Sequence, residues 1–318
     1  MTQTLEPAPT TELTTPRRRV EAWLADFEQA LAARDAQRAA GLFATTSFWR
    51  DLIAFTWNLT TVENRDGVED LLRNTMESTD ATNFRITEGE EPDEAGGVTT
   101  AWFTFETAVG RGSGLLRLND EGAWTFLTTL DELKDHEENQ GTSRPRGVEH
   151  GARKDRVTWK ERRAAEIDGL GKNRQPYVVV IGGGQGGIAL GARLRQLGID
   201  HVVVDRHARP GDQWRSRYKS LCLHDPVWYD HLPYLPFPRN WPVFAPKDKI
   251  GDWLEMYTRV MEVNYWGSTT AKSATWDDAK KEWTITVDRD GEEVVLHPKQ
   301  LVFALGVSGK PNLSLIHI

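Results

Sequence analysis

The stretch that most constrains this 318-residue chain is VVVIGGGQGGIALGARLRQLGIDHVVVDR, Val178 to Arg206. An apolar strand, Tyr177 to Ile181, runs into a glycine cluster. A helical pattern, Gly187 to Leu197, and a second apolar strand, His201 to Val204, follow it. Two continuously apolar strands around a helix make a βαβ unit of a parallel sheet covered on both faces. Gly182, Gly184 and Gly187 form GxGxxG between strand and helix, with Gly183, Gln185 and Gly186 completing the turn. The first glycine permits the tight turn, the second lets the backbone approach a pyrophosphate, and the third lets the helix pack on the strand. The helix N-terminus then offers free N–H groups and the positive end of its dipole to the phosphates. Asp205 ends the second strand where an acidic residue accepts hydrogen bonds from an adenosine ribose, and Arg206 follows it. A ligand-free glycine turn is the bland alternative. The complete strand, turn, helix, strand and acid order argues for a dinucleotide.

The remaining residues set limits on the rest of the function. A formal charge of -8 gives no basic field for phosphate backbones or anionic lipid, so nucleic acid is not an expected partner. No apolar run reaches the ~20 residues of a membrane span, and the opening MTQTLEPAPTTELTTPRRR lacks the apolar region of a secretory signal. A soluble, cytoplasmic chain without membrane contact is the expectation. Cys222 is the only cysteine, which excludes an internal disulfide, a CxxC pair and a multi-cysteine metal site. No metal is expected, and redox chemistry falls to a cofactor.

Two domains are expected at this length. Residues 1–16 read as a disordered tail and 17–135 as an α+β domain. Val20, Trp23, Leu24, Phe27 and Leu31 have helical spacing, Asp35 is placed to cap a short helix Ala36 to Phe43, and Asn64 to Met76 suggests another. The period then becomes two, with strands expected over Asn83 to Thr87, Val98 to Val109, Gly114 to Leu118 and Trp124 to Leu133, the last two joined by a turn at Asn119 to Gly122. Residues 136–176 are polar, of mixed charge and rich in Gly and Pro. They read as a solvated linker, with a short helix at Val157 to Ile167 and basic residues packing on an acidic neighbour as the alternative. Residues 177–318 read as a Rossmann-type α/β domain.

The segment RPGDQWRSRYKSLCLHDPVWYDHLPYLPFP, Arg209 to Pro238, resembles class B flavin-containing monooxygenases, nearest the plant YUCCA-like and bacterial members. The resemblance implies FAD as the dinucleotide, with Gly211, Asp212, Gln213, Trp214 and Arg215 folding over it. Tyr218, a strand Leu221 to His224, Pro246 to Asp248 ahead of a helix Ile250 to Met261, and LVFALGVSGKPN at Leu301 to Asn312 extend it. In the last stretch Ala304 and Gly306 match an Ala-Thr-Gly element near the flavin, and Leu305 replaces its threonine. His224 either touches the isoalloxazine or is a structural histidine. Ala271 stands where a backbone contact to adenine falls, in a small sheet expected from Asn264 to Asp288. Trp228, Tyr229 and Tyr234 are expected as aromatic core and Cys222 as an inert buried thiol.

The activity this resemblance implies is reduction of FAD by NADPH, addition of oxygen, and oxygenation of a small organic substrate by the flavin hydroperoxide, as N- or S-oxygenation or Baeyer-Villiger chemistry. No residue is singled out as catalytic, because the chain supplies orientation and a water-poor pocket. The family's second glycine-rich turn for NADPH and its phenylalanine-glycine-histidine signature are not found. The reading is therefore of a C-terminally truncated, inactive fragment whose last six residues fall outside the natural sequence. The amino-terminal domain, with FWRDLIAFTW at Phe48 to Trp57, resembles the SnoaL-like cone of the nuclear-transport-factor superfamily. Trp49, Arg50, Asp51 and Trp57 are the residues to seek in its pocket. Alternatively Arg50 and Asp51 form an ion pair and the tryptophans are core, or the domain forms a homodimer through its open sheet face. The competing function is a non-catalytic ligand-binding or oligomerisation protein with a residual flavin site.

Overall fold

The computed structural model describes residues 15–148, 150–152 and 154–306. The chain divides into two compact units, Met1–Glu137 and Glu138–Ile318. The first contains, in order, α1 (Pro16–Ala32), α2 (Ala36–Gly41), β1 (Phe43–Leu52), β2 (Leu59–Glu63), α3 (Asn64–Thr79), β3 (Thr82–Ile86), β4 (Asp93–Ala95), β5 (Val98–Glu106), β6 (Gly110–Asn119) and β7 (Gly122–Leu133). The strands form one sheet ordered β2-β1-β7-β6-β5-β3, with β4 added to β5. All its pairs are antiparallel except β1 with β7. Helix α1 buries Val20, Trp23, Leu24, Phe27, Ala30 and Leu31, the stripe its 3.6 period sets. Phe27 is the hub, with the rings of Trp23, Phe84 and Phe126 within 5.5 Å of it.

Strands β1, β2 and β4 are additions to the elements expected from the sequence. A register shift between Phe43 and Phe48 breaks the alternation of β1, so its period of two is not visible in the sequence. The expected Arg50–Asp51 ion pair does not form. Neighbours on a strand face opposite sides of the sheet, and Arg50 instead donates to Thr61 Oγ1 at 3.0 Å while Asp51 is fully buried. Trp49 is core and Trp57 is 62% exposed, so these four side chains do not line one pocket.

The second unit begins with residues expected to be a solvated linker, and they are structured. Helix α4 (Trp159–Gly169) carries a capping box of Thr158 and Glu161, and Glu166 pairs with Arg195 at 2.6 Å. Arg163 donates to the Glu262 carbonyl at 2.7 Å, and Arg174 pairs with Asp200. Glu138, 8% exposed, pairs with Arg193 at 2.8 Å and accepts from the Tyr234 hydroxyl. Opposite charges distributed between the segment and its neighbours bind it down, so the alternative of a short helix with basic residues on acidic neighbours describes it better than the solvated linker does.

Beyond it come β8 (Val178–Ile181), α5 (Gln185–Gln196), β9 (His201–Val204), α6 (Asp212–Arg215), α7 (Lys247–Val260), β10 (Tyr265–Trp266), β11 (Thr269–Asp277), β12 (Glu282–Arg289), β13 (Glu292–Leu296) and β14 (Gln300–Phe303). A parallel sheet runs β10-β9-β8-β14, and β11-β12-β13 forms a separate antiparallel sheet. Both faces of the parallel sheet are covered. Val178, Val180 and Val203 pack with Ile188, Ala192 and Leu254, whereas Val179, Val202 and Val204 pack with Trp266, Ile285 and Val287. The expected strand at Leu221 to His224 is a single bridge between Cys222 and Pro246, and Cys222 is half-buried. Trp228, Tyr229 and Tyr234 are 60%, 74% and 40% exposed, so they are not core.

His201 opens β9 at 1% exposure, its Nδ1 2.9 Å from the Ile199 carbonyl and its Nε2 without a hydrogen-bond partner. Burial pushes its imidazole below the ordinary value against the pull of the Ile199 carbonyl, and Arg195 and Arg163 add to the lowering. The unfolded chain therefore binds a proton that the folded unit refuses. Stability is retained above the unfolded value of about 6.5 and is lost as pH falls below it, until the folded value is reached. The urea midpoint of this unit is expected to fall between pH 8 and pH 5. His201→Leu should flatten that fall, and an unchanged slope would reject this account.

Candidate functional site

Strand β8 ends at Ile181, and the chain turns through Gly182 at φ +111, where a Cβ would lie 2.4 Å from the Ala304 carbonyl oxygen. Gly187 packs the first turn of α5 on this bend, since a Cβ there would lie 1.9 Å from Gly182 O. The turn is thus closed from beneath by backbone. Above it the space is open. A Cβ on Gly184 would meet only Gln213 Nε2, at 3.6 Å, and one on Gly186 would meet nothing within 4 Å. Gly184 is the N-cap of α5, where no side chain caps the helix, so the first-turn N–H groups are available to an anion. Gln185 and Gly186 in this turn are exposed.

Asp205, just past β9, faces the turn. Its Oδ2 accepts from Gly183 N–H at 2.7 Å, and its Oδ1 accepts from His207 N–H at 2.8 Å. Arg206 beside it is exposed. Gln213 on α6 donates from Nε2 to Gly183 O at 3.3 Å, while its Oε1 is buried without a partner. A buried polar atom left alone costs free energy, and this oxygen, an acceptor, would be satisfied by a hydroxyl donor rather than by a phosphate oxygen.

Other expected residues are placed differently. Arg215 is engaged by Asp212, Asp252 and Glu255, each at 2.9 Å, so its guanidinium fixes the Gly211–Ser216 turn. Gly211 takes φ +86 there and lies against Gly251. Trp214 packs on the core beside α5 and α7. His224 is exposed, away from any strand. Ala271 lies on β11, opposite Val287, two residues past the bond from Thr269 N–H to Asp205 O. Ala304 donates its N–H to Ile181 O at 2.8 Å, and Gly306, at φ +84, is exposed. Leu305, standing where the family pattern has threonine, is exposed between them, and Val307 to Asn312 fall outside the described residues.

Tyr265 joins the site without having been expected there. Its ring covers Gly183, where a Cβ would lie 2.4 Å from Cε2, and its hydroxyl is buried without a partner. Burial pushes this phenol far above its ordinary range, and the Asp205 and Asp212 carboxylates add to the shift. No local signal marks it, because it reaches the turn only through the parallel pairing of β10 with β9.

A family model described as an FAD binding domain matches residues 176–220, the stretch that contains the turn, Asp205 and Gln213. The indole-3-pyruvate monooxygenase YUCCA1 of Oryza sativa subsp. japonica is 32% identical over 139 residues, 43% of this chain and 34% of that protein. In sequence, part of this chain is similar to indole-3-pyruvate monooxygenases. An uncharacterized CzcO-like oxidoreductase of Geobacillus kaustophilus is 40% identical to this chain over 86 residues, 27% of this chain and 25% of the other. A flavin-containing monooxygenase structure from Stenotrophomonas maltophilia aligns at 25% identity and a TM-score of 0.37, covering 41% of this chain and 38% of that one. The chain spans about a third of the length of the curated relatives it matches. Among the described residues, no group of three or more His, Cys, Asp or Glu could hold a metal ion, and no helix is long and apolar enough to cross a membrane.

Proposed function

We propose that the second unit holds FAD and serves an FAD- and NADPH-dependent monooxygenase acting on a small organic substrate. The observation that carries this reading is the cradle over Gly184 and Gly186, with the orphaned Gln213 Oε1 at its rim, inside the segment matched by the FAD model. In this reading the N–H groups at the start of α5 bind the pyrophosphate, Asp205 accepts from the adenosine ribose, and the Gln213 amide positions the turn. The resemblance alone adds Arg206, Ala271, His224, Ala304 and Gly306 to this proposed site. When bound, the flavin supplies the redox chemistry, passing electrons from NADPH to oxygen. N-oxygenation, S-oxygenation and Baeyer-Villiger oxidation are the reaction types proposed, in the cytoplasm. A SnoaL-like role for the first unit is also a proposal, supported by its helices and mixed sheet.

The direct test is an absorbance spectrum of the purified 318-residue chain after incubation with FAD, repeated anaerobically with NADPH. Bound flavin is expected. Bleaching by NADPH would place the hydride-accepting arrangement within this chain, and a persistent spectrum would mean that reduction needs further residues. A folded chain that takes up no flavin would reject the proposal. Within the site, Gln213→Leu is expected to preserve thermal stability and to weaken FAD about tenfold, read by flavin fluorescence titration.

A further inference from the structure

The acidic residue proposed to read the adenosine ribose already carries a side-chain donor. His207 Nδ1 lies 2.8 Å from Asp205 Oδ1, the oxygen that also accepts from the His207 N–H, while Oδ2 is taken by Gly183 N–H. A carboxylate has about four lone-pair sites, so three are filled and about one remains. A ribose 2′,3′-diol brings two donors. One donor must therefore leave Asp205 for both hydroxyls to bind.

The backbone donors are not free to leave. Gly183 is locked in the turn beneath the Tyr265 ring. The loop around His207 is pinned to the start of β11, with Thr269 N–H on Asp205 O at 2.8 Å and Ser268 N–H on His207 O at 2.9 Å. Gly267 presses on the same loop, where a Cβ would lie 2.1 Å from Ala208 O. The imidazole is the one donor that a χ rotation can remove, and at 26% side-chain exposure it has solvent to rotate into.

We propose that His207 is a positioning residue that occupies Asp205 in place of the ribose and is displaced by the full diol, setting the affinity for adenosine-bearing ligands. This inference rests on the FAD reading of the site. The displacement lowers apparent affinity by the fraction of molecules in which the oxygen is covered. A ligand with one ribose hydroxyl uses the remaining lone pair and leaves the imidazole in place.

The experiment compares the full chain with His207→Ala and His207→Phe, titrated with FAD and with FAD whose adenosine ribose lacks the 2′-hydroxyl. Both variants are expected to bind FAD about threefold to tenfold more tightly, the worth of one hydrogen bond, with less than about a twofold change for the deoxy ligand. A merely structural role would move both ligands together and lower the thermal midpoint, and that result overturns the proposal. Equal FAD affinity in all three chains overturns it while leaving the flavin site standing. If the unaltered, folded chain binds neither ligand, the FAD reading fails and this inference falls with it.

Discussion

Gly187→Ala is expected to abolish folding of the second unit, while Gly184→Ala leaves it folded and removes most of its affinity for FAD. The two glycines look alike in the sequence and are held for different reasons. At position 187 a methyl group would sit 1.9 Å from Gly182 O and 3.1 Å from its carbonyl carbon. Those atoms cannot retreat, because Gly182 is itself wedged against Ala304 at a left-handed φ of +111. Separating α5 from β8 would open the contact between Ile188, Ala192 and the valines of the sheet. A cost of several kcal/mol follows, comparable with the whole stability of a domain.

At position 184 the backbone, φ -76 and ψ -170, suits any residue, and a methyl group would touch only the Gln213 amide at 3.6 Å. Nothing among the described residues requires glycine there. The space is explained by a pyrophosphate approaching the backbone, so alanine should weaken FAD by about a hundredfold while the circular-dichroism melt stays within about 2 °C. Gly186→Ala, at the other open position of the cradle, should not lose stability either: its methyl group meets nothing within 4 Å and lies in a helix, where alanine gains up to about 1 kcal/mol over glycine. Parental FAD affinity in Gly184→Ala would remove the cradle from the mechanism.

These contrasts mark what the sequence could disclose. The βαβ unit was legible because its strands are apolar on both faces and its glycines answer to local backbone geometry. Helices α1 and α3 were legible because their buried residues keep the 3.6 period. Long-range features were not. Strand β1 hides its alternation behind a bulge, and α4 is fixed by ion pairs to Arg195 and hydrogen bonds to Glu262, neither of which its own composition shows. Trp228 and Tyr229 are apolar enough for a core yet lie exposed on an irregular stretch after Cys222. At the site, Asp205 and Gln213 both bond to Gly183 in the glycine turn, while Arg215 goes to three carboxylates that lie before and after it in the chain. Tyr265 and His207 enter through strand pairing and a loop rotamer, which no motif encodes.

In the first unit, Asp51→Ala is expected to cost about 3 kcal/mol or more and to lower the melting midpoint by roughly 10 °C, with FAD uptake by the second unit unchanged. Asp51 is fully buried, yet it is satisfied by Phe55 N–H at 3.1 Å, Thr56 N–H at 2.9 Å, Thr56 Oγ1 at 2.7 Å and Thr128 Oγ1 at 2.7 Å. Thr128 Oγ1 in turn accepts from Trp49 Nε1 at 2.9 Å. Asp51 and Thr128 are partners across β1 and β7, the parallel pair of the sheet, so the carboxylate ties the two strands together. It also closes the turn after β1, where Ile53 takes φ +61, a conformation that a β-branched residue adopts only under constraint. Alanine would orphan buried donors and release that turn at once. Asp51→Asn keeps one oxygen but presents an N–H₂ to the remaining donors, so it should recover only part of the loss. Parental melting in Asp51→Ala would mean that the carboxylate does not hold this junction. Lost activity with an unchanged melt would instead return Asp51 to the list of ligand-binding residues.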